Sequence, residues 1–321
     1  MELLLTNLSS PVVLAFALGL IARAVRSDLE IPPQIQAYLS IFLLLAIGLK
    51  GGVALRGQAP GELLLLLSIT IAAGVVTTFT TYFIARRILR DGRTNAAAMA
   101  AHYGSVSAVT FIAANQFVER AGAPAEGVLV ALVVALEVPA LLLALWLAHR
   151  GSNGPVDPAA RHHTLREVFT GKSVILLVGG LAIGVIAGPG GIKSVDAMYF
   201  ALFQGVLMLF MLDMGILAAG RLAALRSGWL KLTLFATTLP LLHGAGGVLL
   251  GHMVGLSASG ATVLGAMVSS ASYIAAPATV RTGLPEADTG RCITAALGIT
   301  FPFNLAIGIP LYAWMALWLA R

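Results

Sequence analysis

Charge is the scarcest property of this 321-residue chain: 11% of its residues are Asp, Glu, Lys or Arg, against 58% hydrophobic, and the mean hydropathy is +0.92. Soluble domains carry about 25% charged residues, and a water-facing surface of this size cannot be covered with less than half of that. A soluble globular fold is therefore excluded, and most of the outer surface is expected to face hydrocarbon. Cysteine is almost missing as well. The single Cys292 lies in an apolar run, which excludes an internal disulfide and a thiolate metal cluster. The polar–apolar alternation of membrane β-barrel strands is absent, as are a Gly-x-x-x-x-Gly-Lys loop, a nucleophile elbow and a His-Glu-x-x-His pair. A primary pump or a membrane hydrolase is thereby disfavoured, and no enzyme is expected. Met1-Glu2-Leu3-Leu4-Leu5 lacks the basic start of a signal peptide, so the first apolar run is expected to stay as a span.

The chain is instead rich in apolar runs. Ten can be delimited, at about 9–25, 32–55, 61–88, 95–116, 125–148, 172–189, 195–219, 228–254, 258–280 and 288–320. The expected fold class is an all-α polytopic membrane protein of ten transmembrane helices. The one extended polar stretch, 150–170, reads as a linker between halves spanning 1–149 and 171–321. Loops fall alternately on two faces. Lys50, Arg56, Arg120, Lys193 and Arg321 share one face, and the remaining 15 of the 20 basic residues share the other. The positive-inside rule places the linker in the cytoplasm and both termini outside, in a plasma (cytoplasmic) membrane. The +6 net charge is thus a topology signal, and no nucleic-acid partner is expected.

The halves resemble each other. Span four carries Gly104-Ser105-Val106-Ser107, followed by Gly122-Ala123-Pro124 and by Glu137-Val138-Pro139 in span five. Span nine carries Ser269-Ser270-Ala271-Ser272, followed by Gly283-Leu284-Pro285 and by Phe301-Pro302-Phe303-Asn304 in span ten. Five spans per half is an odd number, so equivalent helices must cross in opposite senses: an inverted repeat, as in many secondary transporters. Serine and glycine in an apolar helix permit local unwinding, and the freed amides at a half-helix start attract a small anion. Close packing of small residues is the alternative reading of either stretch alone, and the pairing of the two favours a binding site.

Ionisable groups inside apolar runs form the second informative set, because each costs about 3 kcal/mol at the bilayer centre unless solvated or paired. Glu137 precedes Pro139 and either helps to hold a cation or relays a proton. Asn304 occupies the analogous region of span ten. Asp213 is read equally as a functional carboxylate or as one half of a structural pair with Lys50 as counter-ion, and His102, near Gly104, is read as a pH-sensing group or a satisfied core histidine. His243 and Tyr273 read as packing residues. His162-His163 lack partners at metal spacing, so no metal is assigned there.

On these residues the chain resembles the sodium-dependent bicarbonate transporter family. The resemblance rests on Gly48-Leu49-Lys50-Gly51-Gly52-Val53-Ala54-Leu55-Arg56, Gly104 to Ser107, Glu137 to Leu141, Met211-Leu212-Asp213-Met214-Gly215, Ser269 to Pro285 and Gly308-Ile309-Pro310-Leu311, and it covers nearly the whole chain. It implies a 5+5 inverted repeat in which helices four and nine are broken and cross. It implies a gate formed by 1–60 and 171–225, a core formed by 61–149 and 226–321, and elevator motion in a homotrimer. Bicarbonate would lie between the breaks on Gly104, Ser105, Ser107, Ser270 and Ser272. Sodium, the coupling ion, would be held near Glu137, Thr110, Asn304 and Ser269. A PII-like regulatory protein is the implied partner. The chain departs from the family pattern at Tyr273, where an acidic residue is expected, and at Ala275-Ala276-Pro277-Ala278 in place of Ser-Gly-Pro-Pro. The reading is a secondary transporter importing a small anion, most simply bicarbonate. A proton- or sodium-coupled carrier of another small anion, such as a monocarboxylate, and a non-transporting membrane sensor are its rivals.

Overall fold

The computed structural model describes residues 7–150, 165–223 and 228–321, so most of the linker, with His162 and His163, and also Arg226, lie outside the described residues. Among the described residues there are helices and no strands. In hydrocarbon this is the one open-ended backbone arrangement that satisfies every amide within its own segment. We label the helices α1 (Pro11–Ala24), α2 (Pro33–Leu55), α3 (Pro60–Ile84), α4 (Arg93–Gly104), α5 (Ala108–Arg120), α6 (Leu129–His149), α7 (Lys172–Ile192), α8 (Phe203–Ala223), α9 (Trp229–Met253), α10 (Ala258–Val268), α11 (Ala276–Gly283) and α12 (Thr289–Leu319). Among the described residues eight segments are long and apolar enough to cross a bilayer, with α4 and α5 forming one of them; α1 and α10 are apolar but shorter.

Local sequence explains several boundaries. Proline opens α1, α2 and α3, where its missing N–H would be unpaired in any case. Ser10 and Ser257 cap α1 and α10 by accepting the amides of Val13 and Gly260 at 3.3 and 3.0 Å. Near the end of α7 the chain turns at Gly188, whose φ of 64° is open to glycine and strained for other residues, and Pro189 follows it. In α12 two π-helical stretches, Thr294–Thr300 and Asn304–Gly308, flank Pro302. A wide turn of this kind is how a helix absorbs a proline and presents side chains off its regular register.

Two sets of helices emerge from the packing. In the first, α2 lies along α7 and α1 along α8, with α2 also against α8. In the second, α3, α4 and α6 pack on one another, and α9, α10 and α12 do the same, with α5 against α10. Exchanging each helix of one half for its counterpart in the other, α1 for α7, α2 for α8 and onward, reproduces these pairings. Helix association in lipid relies on close backbone approach, because lipid tails are as apolar as leucine. Gly48 and Gly52 of α2 accordingly meet Gly180 and Gly184 of α7, and Gly19 of α1 meets Gly215 of α8. A β-carbon at Gly52 would strike the Leu181 carbonyl, which as backbone cannot yield. Gly52→Leu is therefore expected to lower the unfolding midpoint in detergent by about 5 °C or more, or to prevent recovery of folded protein, as followed by fluorescence-detected size exclusion after heating.

Polar links cross between these sets. Lys50 of α2 pairs with Glu119 of α5, and Gln204 of α8 bonds Gln116 of α5. The expected partnership of Lys50 with Asp213 is thus corrected. Lys50 lies near the exposed end of α2, whereas Asp213 is buried in α8 with Gln36, in the first turn of α2, as its polar neighbour. A neutral amide near the helix start stands by the carboxylate where an ammonium about four turns away does not reach it.

Candidate functional site

The chain between α4 and α5 is extended: Ser105 has φ −89° and ψ 166°, and Ser107 has φ −89° and ψ 111°. Between α10 and α11, residues 269–275 are likewise non-helical. Both interruptions are buried, and they meet. The Ser272 amide donates to the His102 carbonyl at 2.7 Å, and the Ser107 amide donates to Ser270 Oγ at 2.8 Å. His102 Nδ1 lies 2.6 Å from the Ser272 carbonyl, so this nitrogen carries the proton and donates. His102 is thereby the satisfied core histidine of the two readings above, a brace between the breaks, with Nε2 left unpartnered.

The five residues expected to hold an anion differ in what they can still offer. Gly104 is needed for packing, since a β-carbon there would collide with Thr78 of α3. Ser105 Oγ donates to the Ala101 carbonyl at 2.6 Å. Ser270 Oγ donates to the Met267 carbonyl at 2.7 Å while accepting from Ser107. Ser107 Oγ and Ser272 Oγ act as helix caps, accepting the amides of Thr110 and Ala276 at 3.2 Å each. A hydroxyl that accepts in this way keeps its own hydrogen to donate. Ser107 and Ser272 also line one small cavity of about 10 Å³, together with Glu137, Ser173, Tyr273 and Leu44. That is about the room one water needs.

The expected cation ligands fall into two groups. Asn304 Nδ2 donates to the Ser269 carbonyl at 3.2 Å, and Tyr312 donates to Asn304 Oδ1 at 3.4 Å. Helix α5, which carries Thr110 in its first turn, packs against the π-helical stretch that carries Asn304. Glu137 is outside that hydrogen-bonded group. It is buried in α6, accepts from Ser173 Oγ of α7 at 2.7 Å, and faces the cavity between the breaks. No cluster of His, Cys, Asp and Glu fit to hold a metal is found among the described residues.

Sequence reading missed Ser173. It follows Lys172 at a helix start, with nothing in its surroundings to mark it. It also placed Tyr273 in packing alone, whereas the tyrosine reaches the cavity and its buried hydroxyl lacks a full hydrogen-bond partner. His243 does find one, Thr80 Oγ1 at 2.8 Å, across the α3–α9 contact.

A multi-pass helical membrane protein with two interrupted helices bonded to each other at their breaks is the class that fold and site define. A family model described as the Na+-dependent bicarbonate transporter superfamily matches residues 11–317, and the chain belongs to that superfamily. Sodium-dependent bicarbonate transport is the activity of that family. A search of curated proteins finds no match.

If the two serine bridges organise the site as described, their loss is unequal. Ser270→Ala strands the Ser107 amide, at a cost of about 1–3 kcal/mol, whereas Ser105→Ala takes a partner from the Ala101 carbonyl, a loss that buried carbonyls bear more readily than amides. Thermal unfolding of the purified protein should therefore show Ser270→Ala several degrees below Ser105→Ala.

Proposed function

We propose that this protein imports bicarbonate by sodium-coupled secondary transport, binding the anion where the two broken helices cross. The observation that carries this reading is the convergence of two donor hydroxyls, Ser107 and Ser272, in one buried cavity at helix starts, within a chain of this family. The amides that open α5 and α11, with Ser107 and Ser272 capping them, favour negative charge. Gly104, Ser105 and Ser270 hold the breaks in register, and their backbone contributes to the anion site. A cation bound near Glu137, Thr110, Asn304 and Ser269 lowers the cost of placing the anion beside it in a medium of low dielectric, and each ion thereby favours the other.

The 5+5 inverted repeat of ten helices is supported by the helix pairings that survive exchange of the halves. We assign the first set of helices, within 1–60 and 171–225, to a gate and the second, within 61–149 and 226–321, to a core. Elevator motion of the core would have to break the links of Glu137 with Ser173, Lys50 with Glu119 and Gln116 with Gln204, all of which join the two sets. A larger cavity of about 270 Å³ between α2, α5 and α8 leads away from the crossing on the Lys50 side. By the distribution of basic residues this is the external side, with both termini outside and the linker in the cytoplasm of the cell that bears the protein in its plasma membrane. A homotrimer and a PII-like regulatory partner belong to the same proposal by family likeness.

Purified protein in liposomes should accumulate labelled bicarbonate several-fold faster with an inward sodium gradient than with equal sodium on both sides. Equal rates under the two conditions overturn sodium coupling, and acceleration by a proton gradient alone would favour proton coupling through Glu137. Glu137→Gln should remove most of the sodium stimulation while leaving the protein monodisperse. A variant that responds to sodium like the wild type removes Glu137 from the cation site.

A further inference from the structure

We propose that Tyr273 is a substrate-binding residue, its phenolic hydroxyl donating a hydrogen bond to the transported oxyanion. This inference rests on the reading of the helix crossing as the anion site and deepens it. Tyr273 is 9% exposed and lines the same cavity as Ser107, Ser272 and Glu137. Its hydroxyl is buried and makes no full hydrogen bond, its near polar neighbour being Ser107, which lines the same cavity. Tyr103 and Tyr312, equally deep in the protein, do have theirs: Tyr103 shares a 2.7 Å hydrogen bond with Thr300, and Tyr312 donates to the Pro240 carbonyl at 3.2 Å. Buried hydroxyls are satisfied as a rule, and this one stands out against that rule at the place where a ligand would sit.

The ring cannot turn its hydroxyl elsewhere. It packs edge-on against Phe301 with centroids 5.6 Å apart, and Phe301 packs in turn on Phe16 at 5.4 Å. The direction of the ring is therefore held before the anion arrives, while the one-water cavity has to widen around it to admit the oxyanion. The chemistry suits a small oxyanion. A phenol contributes a neutral donor at a position where a carboxylate would repel the substrate. With Ser107 and Ser272 it gives three O–H donors from the two breaks, so the oxygens of a planar anion can each be met. The nearby Glu137 carboxylate is engaged by Ser173.

The test is Tyr273→Phe, which keeps the ring and its stacking and removes the hydroxyl alone. In the liposome assay the variant should show a KM for bicarbonate raised roughly tenfold or more, with a much smaller change in maximal rate and an unchanged sodium dependence. Its unfolding midpoint without bicarbonate should equal or exceed that of the wild type, because the lost hydroxyl makes no full hydrogen bond within the protein. The stabilisation that added bicarbonate gives the wild type should shrink or vanish in the variant. A wild-type KM together with wild-type stabilisation by bicarbonate overturns the inference and leaves the transport reading standing. A wild-type protein that neither accumulates nor is stabilised by bicarbonate overturns both. Should Tyr273→Phe fail to fold, 3-fluorotyrosine at position 273, whose hydroxyl is the stronger donor, should lower the KM, and an unchanged KM would count against the inference.

Discussion

Everything at the centre of this protein depends on how two interrupted helices satisfy each other's backbone. In hydrocarbon an unpaired amide or carbonyl costs several kcal/mol, and breaking a helix releases several at once. Here the amide of Ser272 goes to the carbonyl of His102, the amide of Ser107 to the hydroxyl of Ser270, and the ring of His102 returns to the carbonyl of Ser272. Each break is the other's partner. Neither half of the chain can form its interruption alone, so the site exists only once the two halves have folded together. The same bonds fix the caps of α5 and hold Tyr273 against Phe301, so the direction of every donor in the cavity follows from them.

Around this crossing, charge is kept to the ends. Lys50 and Glu119 join α2 to α5, with Asn115 and Gln116 also donating to Glu119 at 3.1 and 3.0 Å. Arg291, at the start of α12, pairs with Asp91, which lies between α3 and α4. Between these levels the buried polar groups are mostly serines, threonines, amides and His102, many of which answer carbonyls, plus the two carboxyl groups of Glu137 and Asp213, which have Ser173 and Gln36 as polar neighbours. A neutral donor satisfies a carboxyl group without supplying a counter-charge.

Much of this was legible in the sequence because hydrocarbon imposes strict rules. The apolar runs had to be helices, and eight of the ten delimited runs correspond to segments able to span, while the first and ninth correspond to the shorter α1 and α10. The paired serines of Gly104–Ser107 and Ser269–Ser272 stood out because polar residues are costly there, and the structure brings them together. What remained hidden depends on contacts between distant segments. Ser173 beside Glu137, Thr78 against Gly104 and Gln36 beside Asp213 are ordinary residues whose importance comes from a neighbour dozens of positions away or more. The pairing assumed for Lys50 failed for a related reason: opposite charge was the sole criterion, and the register of α2 against α8 decided otherwise. Tyr273 packs on Phe301 as its place in an apolar span suggested, and that it also lines the cavity was not visible from its residue type.

The smallness of the cavity at the crossing also bears on leakage. A space of about 10 Å³ holds one water at most, so no file of waters can run past Glu137 and the two serine caps. An ion moving through this point has to displace protein groups first, and a bare cation gains nothing there to replace its hydration shell. The membrane's stored gradient is thus guarded at this level by close packing of atoms, and the protein can carry a charged site at mid-depth without becoming a pore.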